Sequence, residues 1–136
     1  ISEINSALGI SQLKRAKLNL DKRKKIAKKY LKAFKNIKLK MVSDKYFIGN
    51  AYHLFIIQVE NRFELYNYLK KNGISCQVHY IPVYMMPYYK GKYKESEFPN
   101  AEKYYSKCLS IPIFPSLSEE DQDFVINKIS SYNSIK

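Results

Sequence analysis

The stretch Gly73-Ile74-Ser75-Cys76-Gln77-Val78-His79-Tyr80-Ile81-Pro82 decides how the rest of the chain is interpreted. It begins with a glycine of the kind that ends helices, alternates apolar residues as a strand does, and stops at a proline that cannot donate to a ladder. The pattern predicts a strand over 74–80. Because side chains leave the sheet at a strand end, its last four residues form a candidate binding edge: Gln77, Val78, His79 and Tyr80.

Helices and strands are predicted on both sides of this stretch. The helices cover 2–13, 14–35, 62–71, 100–108 and a final segment from Ser118, and the strands cover 38–42, 53–59, 74–80 and 109–113. Ser43 to Asn50 is a predicted loop, and Ile81 to Glu97 is a second, irregular loop rich in tyrosine. The order predicts an α+β domain over residues 1–136, with a small, mostly antiparallel sheet covered by helices.

Local signals give two of these helices a predicted cap and a buried side. Asn61 is expected to cap the helix over 62–71, and Asn72-Gly73 to end it. Ser118-Glu119-Glu120-Asp121 has the pattern of a helix start. The residues expected to face inward are Phe63, Leu65, Tyr66 and Leu69 on the first helix and Phe124, Val125, Ile126 and Ile129 on the second.

The net charge of +12 is confined to one segment. Residues 14–40 hold 13 of the 24 Lys and Arg residues and one of the 12 acidic residues, so the remainder is neutral. The apolar positions there recur mostly at helical spacing, which places the lysines on the solvent side of a helix. A solvated basic face is therefore favoured over a nucleic-acid site, although the charge would also attract phosphate-rich partners.

The remaining composition bounds the class of protein. No apolar run has the length of a membrane span, and Cys76 and Cys108 indicate neither a metal pair nor a disulfide, so a reduced, cytoplasmic setting is expected. Two separated histidines and two separated cysteines give no metal site. The start at Ile1, inside a stretch that is typical of a helix, favours a fragment of a longer protein.

His79 is the strongest single candidate for function. It can donate to a phosphate, hydroxyl or carboxylate, or it can be a buried histidine bonded to the backbone, and its position alone leaves both readings open. A nucleophilic pair with Cys76 is excluded, because residues three apart in a strand point to opposite faces. His53 favours a structural role. The loop tyrosines could stack on a sugar or a base, although no nucleic-acid motif accompanies them.

Several ordered motifs resemble one known family. The residues from Ser2 to Arg15 are similar to a helix of the DegT/DnrJ/EryC1/StrS sugar aminotransferases. The match continues in order through Gln77-Val78-His79-Tyr80-Ile81-Pro82-Val83, Pro87-Tyr88-Tyr89, Asn100-Ala101-Glu102, Leu109-Ser110-Ile111-Pro112 and Ser116-Leu117-Ser118-Glu119-Glu120-Asp121. The Gln-Val-His-Tyr form is most similar to the UDP-4-amino-4,6-dideoxy-N-acetyl-β-L-altrosamine transaminases of the pseudaminic acid pathway.

The resemblance implies a fold, a cofactor and a set of partners. The family has a large domain that holds pyridoxal phosphate (fold type I) and a small C-terminal domain, and this chain resembles only the small one. It therefore lacks the family's cofactor lysine motif, and by itself it is not expected to bind the cofactor or catalyse transamination. The resemblance places Gln77, Val78, His79 and Tyr80 against a UDP-sugar, with glutamate as amino donor. Family active sites lie at a dimer interface, which gives the first helix and its Gly9 a role in subunit packing.

Two functions therefore follow. The first is the small domain of an aminotransferase that aminates a 4-keto nucleotide sugar for bacterial surface glycans. The alternative is a stand-alone, non-catalytic binding module that uses its basic helix to hold anionic partners.

Overall fold

The computed structural model describes residues 1–43, 45 and 47–132. Its helices are α1 (Glu3–Ala33), α2 (Arg62–Lys71), α3 (Pro99–Lys107) and α4 (Glu119–Ser131), and its strands are β1 (Lys40–Met41), β2 (Phe55–Gln58) and β3 (Cys108–Ile111). The strands form one antiparallel sheet in the order β1-β2-β3. The predicted α+β class with a small antiparallel sheet is confirmed. No helix in the described part of the chain has the length and apolar composition to cross a bilayer.

The first helix is continuous, so the prediction of two helices over 2–13 and 14–35 was wrong. Ser2 begins α1 by accepting a hydrogen bond from the Asn5 N–H through its hydroxyl (3.3 Å). No proline interrupts the 31 residues that follow, and Gly9 alone lowers helix propensity by only about 1 kcal/mol. The helix ends at Ala33, where the Phe34 N–H still bonds to the Tyr30 carbonyl.

The core lies between the sheet and the C-terminal half of α1. Tyr30 stacks on Phe34 with ring centroids 5.7 Å apart and meets Phe55 of β2 at 5.0 Å. The fully buried apolar side chains come from α1 and its C-cap, α2, α4, β2 and β3, and include Tyr30, Phe34, Phe55, Ile57, Leu65, Leu69, Leu109 and Ile129. Burying one such side chain stabilises the fold by roughly 1.5–3 kcal/mol.

Most lysines of α1 are exposed, as the charge pattern predicted, but some of its basic side chains also contact other elements. Lys25 and Lys29 form ion pairs with Glu119 (2.6 Å) and Asp123 (2.7 Å) of α4. Exposed pairs of this kind contribute little to stability, because water and salt screen them. Arg23 is half-buried and donates to three backbone carbonyls.

The stretch over 74–80 does not form the predicted strand. Only Gln77 pairs with a neighbour, as an isolated bridge to Ser110. In an antiparallel register that bridge would set Ser75 opposite Pro112, which has no N–H to donate, so the ladder cannot extend on that side. Ile74 and Cys76 are nevertheless buried, which keeps the segment packed beside β3.

The other predicted elements are present, the helices with nearly the predicted bounds and the strands shorter than predicted. The strands predicted over 38–42, 53–59 and 109–113 and the helices predicted over 62–71 and 100–108 are present within a few residues. The loop from Ser43 to Asn50 includes residues 44 and 46, which lie outside the described residues. The loop over 81–97 holds only two single turns of 3₁₀ helix, Val83–Met85 and Glu95–Glu97.

Two of the predicted inward-facing residues are exposed. Phe63 is 73% exposed and Phe124 is 45% exposed, whereas the other six named positions are buried or half-buried. Asn61 occupies the cap position of α2 but makes no side-chain cap bond. Gly73 follows α2 with φ of +75°, as a helix-ending glycine does.

Candidate functional site

The segment over 73–79 lines a cavity of about 660 Å³ at one end of the sheet. His53 and Leu54 reach it from the start of β2, and Asp121 and Phe124 reach it from α4. Residues 110–114, at the end of β3 and just after it, complete the wall. Residues from four parts of the chain therefore meet at this end of the sheet.

His79 is fixed in this cavity by a buried serine. Its Nδ1 lies 2.8 Å from the Oγ of Ser110, which is 7% exposed. The ring also meets Tyr80 edge-on, with centroids 4.7 Å apart. No hydrogen bond to Nε2 is found among the described residues, so this nitrogen remains available to a ligand.

Ser110 also holds the backbone that carries His79. The Gln77 N–H donates to the Ser110 carbonyl (3.1 Å), and the Ser110 N–H donates to the Gln77 carbonyl (2.8 Å). The Gln77 side chain stays exposed and lines the cavity. One strand residue thus sets both the path of the segment and the orientation of the imidazole.

The four predicted site residues do not all line the cavity. Gln77 and His79 line the cavity, whereas Val78 and Tyr80 do not. Val78 packs partly against the hydrophobic core. Tyr80 is 72% exposed and contacts the cavity only through its edge-on packing on His79.

Two polar residues of the cavity were missed from the sequence. Ser110 interrupts a run of apolar residues in a strand that is buried along its whole length, and that interruption was the available signal. Asp121 was read only as part of a helix cap. It does bond to Ser118 there, through its N–H (3.0 Å) and through Oδ2 (2.8 Å), and it also lines the cavity.

The chemistry of the cavity is that of recognition through hydrogen bonds. An imidazole, an amide and a carboxylate can read sugar hydroxyls. Burial raises the pKa of the Cys76 thiol to about 12, so this thiol is not a nucleophile near neutral pH. The described residues contain no cluster of three metal-ligating side chains.

The cavity does not fit pyridoxal phosphate. Among the described residues that line it there is no lysine to condense with the cofactor's aldehyde and no lysine or arginine to pair with its phosphate. The amides, carboxylate and imidazoles that are present cannot replace the lysine, because none of them has the primary amine that forms a Schiff base.

The loop over 81–97, which follows the site, contains a cluster of aromatic side chains. Tyr84 stacks on Phe98 with centroids 4.6 Å apart, and its hydroxyl donates to Glu102. Lys92 lies 3.9 Å from the ring centroid of Tyr88, a cation–π contact at the exposed tip. The loop therefore has a packed base and presents aromatic side chains to solvent.

Comparison with known proteins gives one consistent family. The family model for the DegT/DnrJ/EryC1/StrS aminotransferase family matches residues 1–130. The chain is 38% identical to the spore coat polysaccharide biosynthesis protein SpsC of Bacillus subtilis, over 93% of this chain and 35% of that protein. It is 36% identical to a UDP-4-amino-4,6-dideoxy-N-acetyl-β-L-altrosamine transaminase of Campylobacter jejuni, over 96% of this chain and 36% of that protein.

Solved structures of sugar aminotransferases share the fold. DesV of S. venezuelae, in complex with a ketimine intermediate, superposes with a TM-score of 0.87 at 27% identity, over 95% of this chain and 36% of that one. The PLP-form of the putative sugar aminotransferase Spr1654 from Streptococcus pneumoniae gives 0.84 at 27% identity, over 93% and 34%. The chain thus spans about a third of the length of these relatives. It belongs to the DegT/DnrJ/EryC1/StrS aminotransferase family.

Proposed function

We propose that this chain is the small domain of a pyridoxal-phosphate-dependent aminotransferase of fold type I that aminates a 4-keto nucleotide sugar. In this role it supplies substrate contacts, chiefly from Gln77 and His79, and not the catalytic lysine. The amino donor would be glutamate, the complete enzyme a cytoplasmic homodimer, and the product a precursor of bacterial surface glycans such as pseudaminic acid.

The observation that carries the proposal is the fixed imidazole at the cavity. The bond between His79 Nδ1 and Ser110 commits one ring nitrogen to the protein, and the other can then bond to a substrate oxygen. A half-buried imidazole whose orientation is already set loses little entropy when it binds, which favours specific recognition of a hydroxyl. Similarity to an altrosamine transaminase supports a sugar nucleotide as the substrate class.

The cofactor belongs, in this proposal, to the rest of the complete enzyme. Two facts support this division: the cavity lining lacks a lysine among the described residues, and the chain spans only about a third of its relatives. Pyridoxal phosphate supplies the electron sink for transamination when it is bound there. The chain's own residues would orient the sugar and help to exclude water.

Replacing His79 in the complete enzyme tests the site. We expect His79→Ala to raise KM for the sugar nucleotide about tenfold, because a ligand hydrogen bond contributes about 1–1.5 kcal/mol, while kcat changes much less. Asn67→Ala on α2, another half-buried polar side chain, is the control and should leave KM unchanged. Steady-state kinetics with thermal unfolding would separate the two, and an unchanged KM in a folded His79→Ala enzyme would remove His79 from the site.

A separate experiment tests whether the cofactor site lies outside this chain. The coding sequence upstream of Ile1 should continue into a cofactor domain, and a start site with a stop codon just before Ile1 would contradict the proposal. Mixing this chain with pyridoxal phosphate and borohydride should label no single lysine specifically. A stoichiometric adduct at one lysine, located by peptide mass mapping, would assign the cofactor site to this chain instead.

A further inference from the structure

A second cavity of about 420 Å³ lies at the other end of β2 from His79. The backbone leaving β2, from Gln58 to Asn61, forms one wall, and β1 with the residues before it forms another. Lys103 and Lys107 of α3 form the third. The proposed function assigns nothing to this place.

Lysines from two separate elements and the segment before β1 converge on the cavity. Lys38, Lys40, Lys103 and Lys107 line it, against one acidic side chain, Glu60. Lys107 Nζ lies 2.6 Å from a Glu60 carboxylate oxygen. Within the described residues, no carboxylate is in ion-pair distance of the other three lysines.

Three of these lysines, Lys107, Lys40 and Lys103, affect the same carboxyl group, that of Glu60. The hydrogen bond and charge of Lys107, with further contributions from Lys40 and Lys103, hold the pKa of Glu60 below its usual value. One carboxylate neutralises only one of these ammonium groups. The cavity is therefore left with excess positive charge, which favours a multivalent anion over a single carboxylate.

One side of the cavity is apolar and fixed. Ile37, Leu39 and Val59 line it together with the ring of Tyr132. Tyr68 packs on that ring at 5.1 Å, and the Tyr132 hydroxyl donates to Glu64 (3.3 Å). A ligand with a flat or apolar body could contact this side while its anionic part meets the lysines.

We propose that this cavity binds a small molecule that carries a diphosphate group. The charge excess matches a diphosphate, and the apolar side matches the organic part of such a molecule. The concave shape favours a small ligand over an extended nucleic-acid backbone, which would need an open basic track. The proposal does not depend on the role given to His79.

Pyrophosphate is the probe for the anionic part of the site. In ¹H–¹⁵N spectra of the protein, titrated at constant ionic strength, we expect saturable shifts at the amides of Glu60, Asn61 and Lys103. Lys40→Gln with Lys103→Gln should weaken the affinity about tenfold or more, because two charge-assisted contacts are lost. Lys14→Gln with Lys17→Gln removes the same charge from the exposed part of α1, and should change the affinity less than about twofold.

A carboxylate variant tests the same site with the opposite sign. Glu60→Gln frees Lys107 and removes a competing negative charge, so pyrophosphate should bind several-fold more tightly. Asp123→Asn breaks the comparable pair with Lys29 on another face and is the matched control, with little effect expected.

Three results would overturn the proposal. These are shifts that rise linearly without saturating, equal losses for the two lysine pairs, and tighter binding of a short single-stranded oligonucleotide with shifts centred on α1. The first would leave only non-specific attraction, the second would reduce the effect to net charge, and the third would assign the basic surface to nucleic acid.

Discussion

At the residue scale, Ser110 links two parts of the site through different atoms. Its backbone N–H and its carbonyl both bond to Gln77, and its hydroxyl lies within hydrogen-bond distance of the imidazole of His79. A serine is suited to this position because its hydroxyl both donates and accepts, so it can bond to Nδ1 in either tautomer. The orientation of His79 is thereby set without fixing which of its nitrogens carries the proton.

The buried thiol of Cys76 predicts an alkaline loss of stability. Burial raises its pKa from 9.0 to about 12, so the unfolded chain loses the proton first as pH rises above 9. The contribution is fully present below pH 9 and is lost as pH approaches 12. Between pH 8 and 10.5 the free energy of unfolding should fall about 2 kcal/mol more for the native protein than for Cys76→Ala. Urea unfolding at each pH measures this, and parallel pH profiles would show that the thiol is not desolvated.

At the element scale, Arg23 fastens α1 to the strand ends. Its guanidinium donates to the carbonyls of Tyr52 (3.1 Å), His53 (3.2 Å) and Ile113 (3.0 Å). Further along the same helix, the Tyr30 hydroxyl donates to the Pro112 carbonyl (2.9 Å). Since His53 and Ile113 both line the His79 cavity, the helix contributes to its shape without lining it.

A matched pair of arginine substitutions tests this attachment. Arg23→Lys keeps the charge but has a shorter side chain that cannot reach the place of Nη1, the atom that makes all three bonds, and we expect it to lower the free energy of unfolding by about 1–3 kcal/mol. Arg15→Lys makes the same change where the side chain bonds only to Ser11 of its own helix (3.4 Å), and should cost less than about 0.5 kcal/mol. Denaturant unfolding of both variants decides, and equal small effects would mean that the three carbonyl contacts carry no stability.

Elements with local signals were predictable, and those that depend on distant residues were not. Each of these local signals lies within a few neighbouring residues: the apolar run of β2, the glycine after α2 and the Ser118 cap of α4. The failed strand over 74–80 depended on Pro112, more than thirty positions away. The bond between His79 and Ser110 spans 31 positions, and the apolar run that Ser110 interrupts does not indicate which residue its hydroxyl meets. Arg23 resembled its lysine neighbours in sequence, and only the fold shows its three acceptors.

At the scale of the whole molecule, α1 extends beyond the body of the domain. Every residue from Ile1 to Leu18 is exposed, including Ile4 (81%) and Leu13 (75%). Residues 4–13 carry no charge, which is unusual for a solvated helix and typical of the centre of an interface. In the proposed complete enzyme we expect the rest of the protein to cover this part of α1.

Hydrogen exchange should divide α1 into two parts. In this chain alone, amides of residues 5–17 should exchange within about tenfold to a hundredfold of an unstructured peptide, because an isolated helical stretch of this length is marginal in water. Amides of residues 27–34 should be protected by on the order of a thousandfold or more, since the core covers them. Exchange read by NMR distinguishes the two, and equal protection would show that copies of the chain cover the exposed part in solution.

The continuity of α1 has a geometric consequence. At about 1.5 Å per residue its 31 residues measure about 46 Å, and Arg23 and Tyr30 anchor one end of that length to the sheet. When its exposed half is covered, the rigid helix holds whatever packs near Ile4 at a set distance and angle from the cavity of His79. Inserting one residue between Leu18 and Arg23 would rotate the far end by about 100° while leaving the site itself intact. In the proposed complete enzyme, the spacing between a covering domain and the substrate would thus be encoded in a residue count, and not in any contact at either end.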